Sequence, residues 1–232
     1  MAHPIPTPAP AGGHGRDDAL TAPIADLISV AFPTPIVMHD WPDSQALNAA
    51  LADLIRAEAA GGAALTKSNV GGWHSGMAFL NRQDTPAIAR LLSRIRTLIS
   101  ALIPQVMRPP EDGRSLHIAI EGWANILTAG DYNTLHNHPN ASWSGVYYVT
   151  GNPQPADGEP ARPFEGKLEF VDPRPGASLT HAESSTLYGR CMVEPRAGRM
   201  VLFPSWLQHF VHPCPAGGQR LSIAFNITLR ED

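Results

Sequence analysis

The stretch RLSIAFNITL, residues 220–229, alternates between two kinds of side chain. Leucine, isoleucine and phenylalanine fill every second position, which predicts a β-strand with one apolar face. The other face carries Arg220, Ser222, Ala224 and Asn226. A guanidinium two residues from a hydroxyl suits bidentate binding of a carboxylate with one further donor. The alternative is an exposed polar strand face with Arg220 in water.

Short runs of the same kind recur from about Leu116 and are separated by Gly, Pro and Asp. They are LHIAIEGWANIL, WSGVYYVT, KLEFVD, RMVLFP and HFVHP. Their spacing leaves no room for crossover helices, so antiparallel pairing in a sandwich or barrel is favoured over a parallel sheet. We therefore predict a mainly β fold of the α+β type.

Two helices are predicted ahead of these strands. The first begins at Asp43 or Ser44, since either residue suits the N-cap position, and ends at Gly61. The second has Pro86 at its first position, followed by leucines and isoleucines every three or four residues. Arg94 is expected on the face opposite this apolar stripe. The helices are predicted to pack against the β-structure.

The composition predicts one main domain. The chain has 232 residues, of which 43% are hydrophobic, enough for one substantial core. Residues 1–18 are rich in Pro, Ala and Gly and have no periodicity, so they are interpreted as a flexible leader. Residues 19–232 are expected to form a single domain that includes the N-terminal helices.

Charge and hydropathy limit the classes of partner and the cellular location that can be expected. A net charge of -4 gives no basic excess for nucleic acid, so we expect no nucleic-acid partner. No apolar stretch reaches the roughly 18 residues of a membrane span, and the N-terminus lacks the apolar core of a signal peptide. The expected location is cytoplasmic, with no membrane association. The two cysteines, in no CxxC spacing, are interpreted as reduced thiols.

A histidine pair lies in LHNHPNASWSGVYY, residues 135–148. In an extended strand His136 and His138 point to the same side, so they can offer two imidazoles to one metal ion. The alternative is a polar turn closed by Pro139, with both imidazoles in water. A third histidine, His209, lies in the apolar run FPSWLQHFVHP. Distant strands become neighbours in a barrel, so His209 can reach the pair, or it can be a hydrogen-bonded histidine of a half-buried strand.

Together these motifs resemble the non-haem Fe(II), 2-oxoglutarate-dependent oxygenases. The pattern is HxH, a strand, the turn GRMVLFP at 198–204, a distal histidine, and Arg-x-Ser beginning eleven residues after it. It is similar, more narrowly, to a bacterial subfamily of such oxygenases. The segments that match this subfamily are GGWHS (71–75), HNHPNASWSGVYYV (136–149), Asp172-Pro173, LFPSWLQH (202–209) and RLSIAFN (220–226). The resemblance implies a double-stranded β-helix, or jelly roll, with supporting N-terminal helices.

The resemblance implies a metal site made of His136, His138 and His209. His138 stands where the family motif usually has a carboxylate, so this site departs from the common triad of two histidines and one carboxylate. Three neutral ligands would leave Fe(II) with its full positive charge and strengthen its hold on an anionic keto acid. Glu169, on another strand, is the alternative residue that would complete the metal site.

The resemblance also implies a co-substrate site. Arg220 and Ser222 match the residues that grip the 2-oxoglutarate carboxylate in many of these enzymes, and Asn125 is a further candidate contact. We expect a structural role for Tyr147. His74, in the GGWHS segment, is either a substrate contact or part of a rigid surface turn.

The function that follows from the resemblance is Fe(II)- and 2-oxoglutarate-dependent hydroxylation of an unidentified small molecule or peptide. One alternative is a three-histidine metal enzyme, with iron or zinc, that does not use 2-oxoglutarate. The other is a non-catalytic barrel that binds a metal or ligand. Exposed edges of a jelly roll would allow a homodimer.

Overall fold

The computed structural model describes residues 22–23, 26, 32–62, 64–108, 115–155, 158, 160, 162–175 and 191–231. The chain divides into residues 1–34 and residues 35–232. All elements named below belong to the second unit. The predicted leader, residues 1–18, lies outside the described residues.

Within the described residues, the second unit has two α-helices, α1 (Gln45–Gly61) and α2 (Pro86–Val106), and a 3-10 helix (Phe79–Asn81). The strands are β1 (Val37–Asp40), β2 (Asn69–Val70), β3 (Trp73–His74), β4 (Leu116–Leu127), β5 (Tyr132–His136), β6 (Trp143–Tyr148), β7 (Leu168–Phe170), β8 (Cys191–Val193), β9 (Arg199–Pro204), β10 (His209–Val211) and β11 (Arg220–Glu231).

The strands form two sheets, in the orders β1-β9-β6-β11-β4-β3 and β2-β5-β10-β7-β8. Every pairing between these strands is antiparallel. The prediction of an antiparallel, mainly β fold is therefore confirmed. The longest ladder joins β11 to β4 from end to end, and β6 pairs with the other side of β11. β11 is thus the central strand of the first sheet, and its two faces decide what lies on each side of it.

One face of β11 packs in the main core. Leu221, Ile223, Phe225 and Ile227 are fully buried. They share one hydrophobic cluster with the apolar stripe of α2 and with buried residues of α1. Burying one such aliphatic or aromatic side chain contributes roughly 1.5–3 kcal/mol, so this interface fixes which face of β11 turns inward. The other face is left for the cavity between the sheets.

The predicted helix starts are confirmed, because α1 follows Ser44 and α2 begins at Pro86. The placement of Arg94 on an exposed face is wrong. Arg94 is only 6% exposed, and Nη1 donates to Ser44 Oγ at 2.8 Å and to Tyr147 Oη at 3.0 Å. Its Nη2 donates to the Pro42 carbonyl at 3.3 Å. A buried guanidinium is tolerated here because these acceptors replace water.

Neither α1 nor α2, nor any other helix among the described residues, combines the length and hydropathy that a membrane crossing requires.

Candidate metal centre

Three histidines meet where the two neighbouring interior strands β5 and β10 of the second sheet end and begin. His136 is the last residue of β5 and lies directly opposite His209, the first residue of β10. His138 lies two residues beyond β5, where its backbone N–H donates to the Ser205 carbonyl at 2.9 Å. The potential ligand atoms of the three residues lie within 4.8 Å of one another. The fold therefore brings together the histidines that the sequence singled out.

His138 does not lie in the same strand as His136, contrary to the expectation. The strand ends at His136 because Pro139 has no N–H for a ladder, and Asn140 turns the chain with φ of 73°. Both histidines still face one point, since the Ser205 carbonyl holds the chain after the strand. A turn, rather than period-two alternation, orients His138.

Backbone carbonyls set the orientation of two of the rings. His136 Nδ1 lies 2.7 Å from the Thr134 carbonyl, and His209 Nδ1 lies 2.9 Å from the Leu207 carbonyl. A carbonyl only accepts, so we assign the proton to Nδ1 in both rings. Nε2 of each ring then carries the lone pair, and in His136 this atom lies 3.4 Å from Ser68 Oγ. A carbonyl contact behind the ring is the usual way in which a metal-binding histidine is held in one tautomer.

The rings are neutral near pH 7. Burial, with His136 as a second cause, lowers the pKa of His138 to about 4. Burial, with the same neighbour as a smaller cause, lowers the pKa of His209 to about 3. Burial also lowers the pKa of His136. Three neutral imidazoles facing a cavity form a donor set that suits Fe(II), and also zinc, copper or nickel.

No carboxylate from the described residues joins this cluster. Glu169 pairs with Phe210 in the β7–β10 ladder, whereas His209 pairs with Phe170. Because neighbouring residues of a strand point to opposite faces, Glu169 lies on the other face of the sheet from His209. Its Oε2 lies 2.7 Å from His212 Nε2. The arrangement favours His138 over Glu169 as the third ligand.

The histidines border a cavity of about 520 Å³, a volume typical of small-molecule sites. Its floor is the face of the first sheet that β11 turns away from the helices. Strand register aligns four polar side chains across this floor, one from each of β3, β4, β11 and β6. They are His74, Asn125, Ser222 and Tyr148. All four line the cavity, so the polar face predicted for β11 is not left in water.

Arg220 lies two residues before Ser222 on the same face of β11, and it also lines the cavity. It is 3% exposed, and Nη1 donates to the Gly166 carbonyl. Its Nε is buried and has no hydrogen-bond partner among the described residues. A buried guanidinium N–H without an acceptor is costly, and an anion bound in the cavity would supply that acceptor.

Tyr148 is a candidate site residue that the sequence analysis missed. It is 2% exposed and stands opposite Ser222. Burial raises its pKa to about 12, so the phenol keeps its proton and can donate. Tyr147 points to the other side, where its hydroxyl donates to Asn48 Oδ1 at 2.7 Å. Alternation along WSGVYY separates the two tyrosines, but only the register with β11 tells which one faces the cavity.

The GGWHS segment is a tight turn that delivers one side chain to the cavity. Gly71 and Gly72 have φ of 71° and 65°, and a Cβ on Gly72 would lie 2.6 Å from the Ile126 carbonyl. Gly72 is required both by its positive φ and by the close approach of the Ile126 carbonyl. Trp73 then packs against the main core, while His74, 3% exposed, faces the cavity. The two interpretations of this segment are therefore compatible.

Residues 121–226 match the model of the family described as "Putative 2OG-Fe(II) oxygenase". A prolyl-4-hydroxylase of Pseudomonas putida has a similar structure, with 20% sequence identity and a TM-score of 0.56 over 84% of this chain and 92% of that chain. No curated protein matches the chain.

Two further solved structures have the same fold. A prolyl hydroxylase from Trichoplax adhaerens, solved with a hypoxia-inducible-factor peptide fragment, is 15% identical, with a TM-score of 0.56 over 83% of each chain. HygX from Streptomyces hygroscopicus, solved with nickel, 2-oxoglutarate and hygromycin B, is 15% identical, with a TM-score of 0.53 over 84% of this chain and 83% of that chain.

These structures identify the two sheets as a double-stranded β-helix, so the predicted jelly roll is confirmed. The matched segment contains all three clustered histidines, together with Arg220 and Ser222. The match over residues 121–226 supports the resemblance to the non-haem Fe(II)/2-oxoglutarate-dependent oxygenases that the motifs predicted.

Proposed function

We propose that this protein is an Fe(II)- and 2-oxoglutarate-dependent dioxygenase that hydroxylates a small molecule or a peptide. The observation that carries the proposal is one cavity that is lined by two kinds of group. They are a cluster of three neutral imidazoles and a buried guanidinium with an unpaired N–H. A keto acid that binds a metal with its head and an arginine with its tail requires both groups in one cavity.

His136, His138 and His209 would hold the metal, the first and last through Nε2. When bound, Fe(II) and 2-oxoglutarate supply the oxygen-activating redox chemistry, which side chains alone cannot provide. The ligand set adds no negative charge. The anionic keto acid is therefore needed to balance the metal, which favours binding of 2-oxoglutarate before oxygen.

Arg220 would hold the distal carboxylate of 2-oxoglutarate, with the hydroxyls of Ser222 and Tyr148 as further donors. Asn125, beside Ser222 in the same row, offers an amide to the co-substrate. These groups lie in a cavity, where charge-assisted hydrogen bonds are stronger than at a surface. They fix the position of the keto acid relative to the histidines.

The overall reaction balances without another reductant. Substrate C–H, 2-oxoglutarate and O₂ give substrate C–OH, succinate and CO₂. One oxygen atom ends in the product hydroxyl and the other in the succinate carboxylate. The contribution of the chain is placement and shielding. Leu168, Phe203 and Val211 give the cavity an apolar wall beside the histidines, which keeps water from the reacting groups.

The test is 2-oxoglutarate binding to the Fe(II)-loaded protein without oxygen, followed by admission of oxygen. The expected results are a new charge-transfer absorption band on adding 2-oxoglutarate and succinate formation that needs Fe(II). A metal-loaded protein that shows neither the band nor succinate, with a broad substrate panel present, would contradict the proposal. Oxygen consumption without 2-oxoglutarate would favour the three-histidine enzyme that uses no keto acid.

A further inference from the structure

One wall of the cavity is used by neither the proposed metal site nor the proposed co-substrate site. It comes from residues 67–77, between α1 and α2, which contribute Lys67, Ser68, His74 and Met77 to the lining. β3 sets His74 at the end of the polar row, opposite Asn125. The His74 ring stacks on Trp123 with centroids 5.7 Å apart, and Trp123 lies 5.7 Å from the His138 ring. This wall therefore reaches from the polar row to the proposed metal ligands.

His74 offers a free acceptor to the cavity. Its Nδ1 lies 2.5 Å from the Ser75 carbonyl, so we assign the proton to Nδ1. Burial lowers its pKa, so the ring is neutral and Nε2 keeps its lone pair. No described residue donates to Nε2, although the side chain is 97% buried. His74 lines the cavity, where a ligand or water can donate to Nε2.

The charges around the cavity have one sign. Its described lining residues include the cations Lys67 and Arg220 but no Asp or Glu. The Lys67 ammonium is close enough to His74 to contribute to lowering its pKa, and no described carboxylate pairs with it. If 2-oxoglutarate carries two negative charges into a site with Arg220 and Fe(II), a net positive charge remains before Lys67 is counted. A cavity with this balance attracts a second anion.

We propose that residues 67–77 bind the primary substrate and that this substrate is an organic acid. Its carboxylate pairs with Lys67, an N–H or O–H next to that carboxylate donates to His74 Nε2, and its body packs against Trp123. This inference rests on the proposed function, because the co-substrate must fill the space beside Arg220 for the remaining space to be the substrate site.

The experiment uses the full chain loaded with Zn(II), which is redox-inactive and diamagnetic, and with saturating N-oxalylglycine, an unreactive analogue of 2-oxoglutarate. Binding of N-oxalylglycine is measured first by calorimetry, and it tests the proposed function alone. Two acids that carry a donor next to the carboxylate, hippurate and mandelate, are then compared with their neutral amides. The histidine ring and tryptophan indole signals are followed by NMR.

Each acid is expected to shift the His74 and Trp123 signals and to bind about 1.5- to 5-fold more tightly than its amide, the range for a rim ion pair. Lys67→Gln should remove this preference. Lys167→Gln is the matched control, since Lys167 pairs with Glu194 at 3.2 Å and does not line the cavity. Equal binding of acid and amide, or acids that leave the His74 signal unmoved, would overturn the inference but not the proposed function. Failure of N-oxalylglycine to bind would overturn both.

Discussion

Tyr148 stands directly across from Ser222 in the β6–β11 ladder, and both side chains face the cavity beside Arg220. Tyr147, its neighbour in sequence, lies in the core on the opposite face, in contact with Asn48 and Arg94. Two adjacent tyrosines thus serve the two sides of one sheet. The pair allows the co-substrate site to be tested with a control of identical chemistry.

Tyr148→Phe should weaken 2-oxoglutarate binding by about 5- to 10-fold, because one hydrogen bond contributes about 1 kcal/mol. Arg220→Gln should weaken it by about 10- to 100-fold or more, because a hydrogen bond to a charged group contributes about 1.5–3 kcal/mol. Calorimetric titration of the metal-loaded protein measures both effects. Tyr147→Phe and the exposed Arg230→Gln should leave the affinity unchanged. Loss of affinity in Tyr147→Phe equal to that in Tyr148→Phe would contradict the assignment.

The third metal ligand can be decided by substitution. His209→Ala and His138→Ala should each abolish stoichiometric metal binding, because two imidazoles hold a divalent ion far more weakly than three. Glu169→Gln should retain one metal per chain, since its carboxylate contacts His212 on the other face of the sheet. His212→Ala is the matched control, three residues from His209. The measurement is metal content after dialysis, and a metal-free Glu169→Gln protein would show that the carboxylate takes part.

The two α-helices and the strands β4, β6, β7, β9, β10 and β11 could be predicted from the sequence because each has a local pattern, whereas the short strands β1, β2, β3 and β8 were not predicted. β11 alternates strictly, and α2 has an apolar stripe that begins at Pro86. Within β11, alternation also separates the core face from the cavity face, so Arg220 and Ser222 could be placed on one side. The apolar residues that alternate along β11 in the sequence are the ones that the structure buries in the core.

What the sequence could not give was the register between distant strands. The row of His74, Asn125, Ser222 and Tyr148 exists only because four strands align, and no local pattern encodes that alignment. Arg94 was misplaced for a related reason. A charged residue on a helix is expected in water, and its buried acceptors come from residues more than 40 positions away, at Ser44 and Tyr147.

Arg94 ties α2 to the residues ahead of α1 and to β6, so its loss should reduce stability. Arg94→Ala should lower the free energy of unfolding by about 2–4 kcal/mol, because it removes buried hydrogen bonds and leaves Ser44 and Tyr147 with fewer partners. Arg90→Ala, exposed on the same helix, should change it by no more than about 0.5 kcal/mol. Urea unfolding followed by circular dichroism measures both. Similar losses in the two variants would show that the buried contacts add nothing.

Acid should destabilise the metal-free protein at a pH above the range in which carboxylates titrate. The pKa of His138 and His209 is lowered from 6.5 to about 4 and about 3 in the folded chain. Between the unfolded pKa of 6.5 and the lowered pKa of the folded state, the unfolded chain binds more protons than the folded chain. The free energy of unfolding therefore decreases as the pH decreases. The stabilisation is complete above about pH 6.5 and is lost progressively down to about pH 3.

The measurement is the free energy of urea unfolding, in the presence of a chelator, at intervals from about pH 7 to about pH 4.5. We expect a total decrease on the order of 5 kcal/mol, since each of the two histidines takes up one proton on unfolding, and each such proton changes the free energy of unfolding by about 1.4 kcal/mol per pH unit below about pH 6.5. A variant with both His138→Gln and His209→Gln should show a clearly smaller slope, because its folded state no longer excludes those protons. An equal slope in the variant would place the acid sensitivity elsewhere in the chain. The comparison depends only on neutral, buried rings, so it tests the electrostatics of the cluster separately from its affinity for metal.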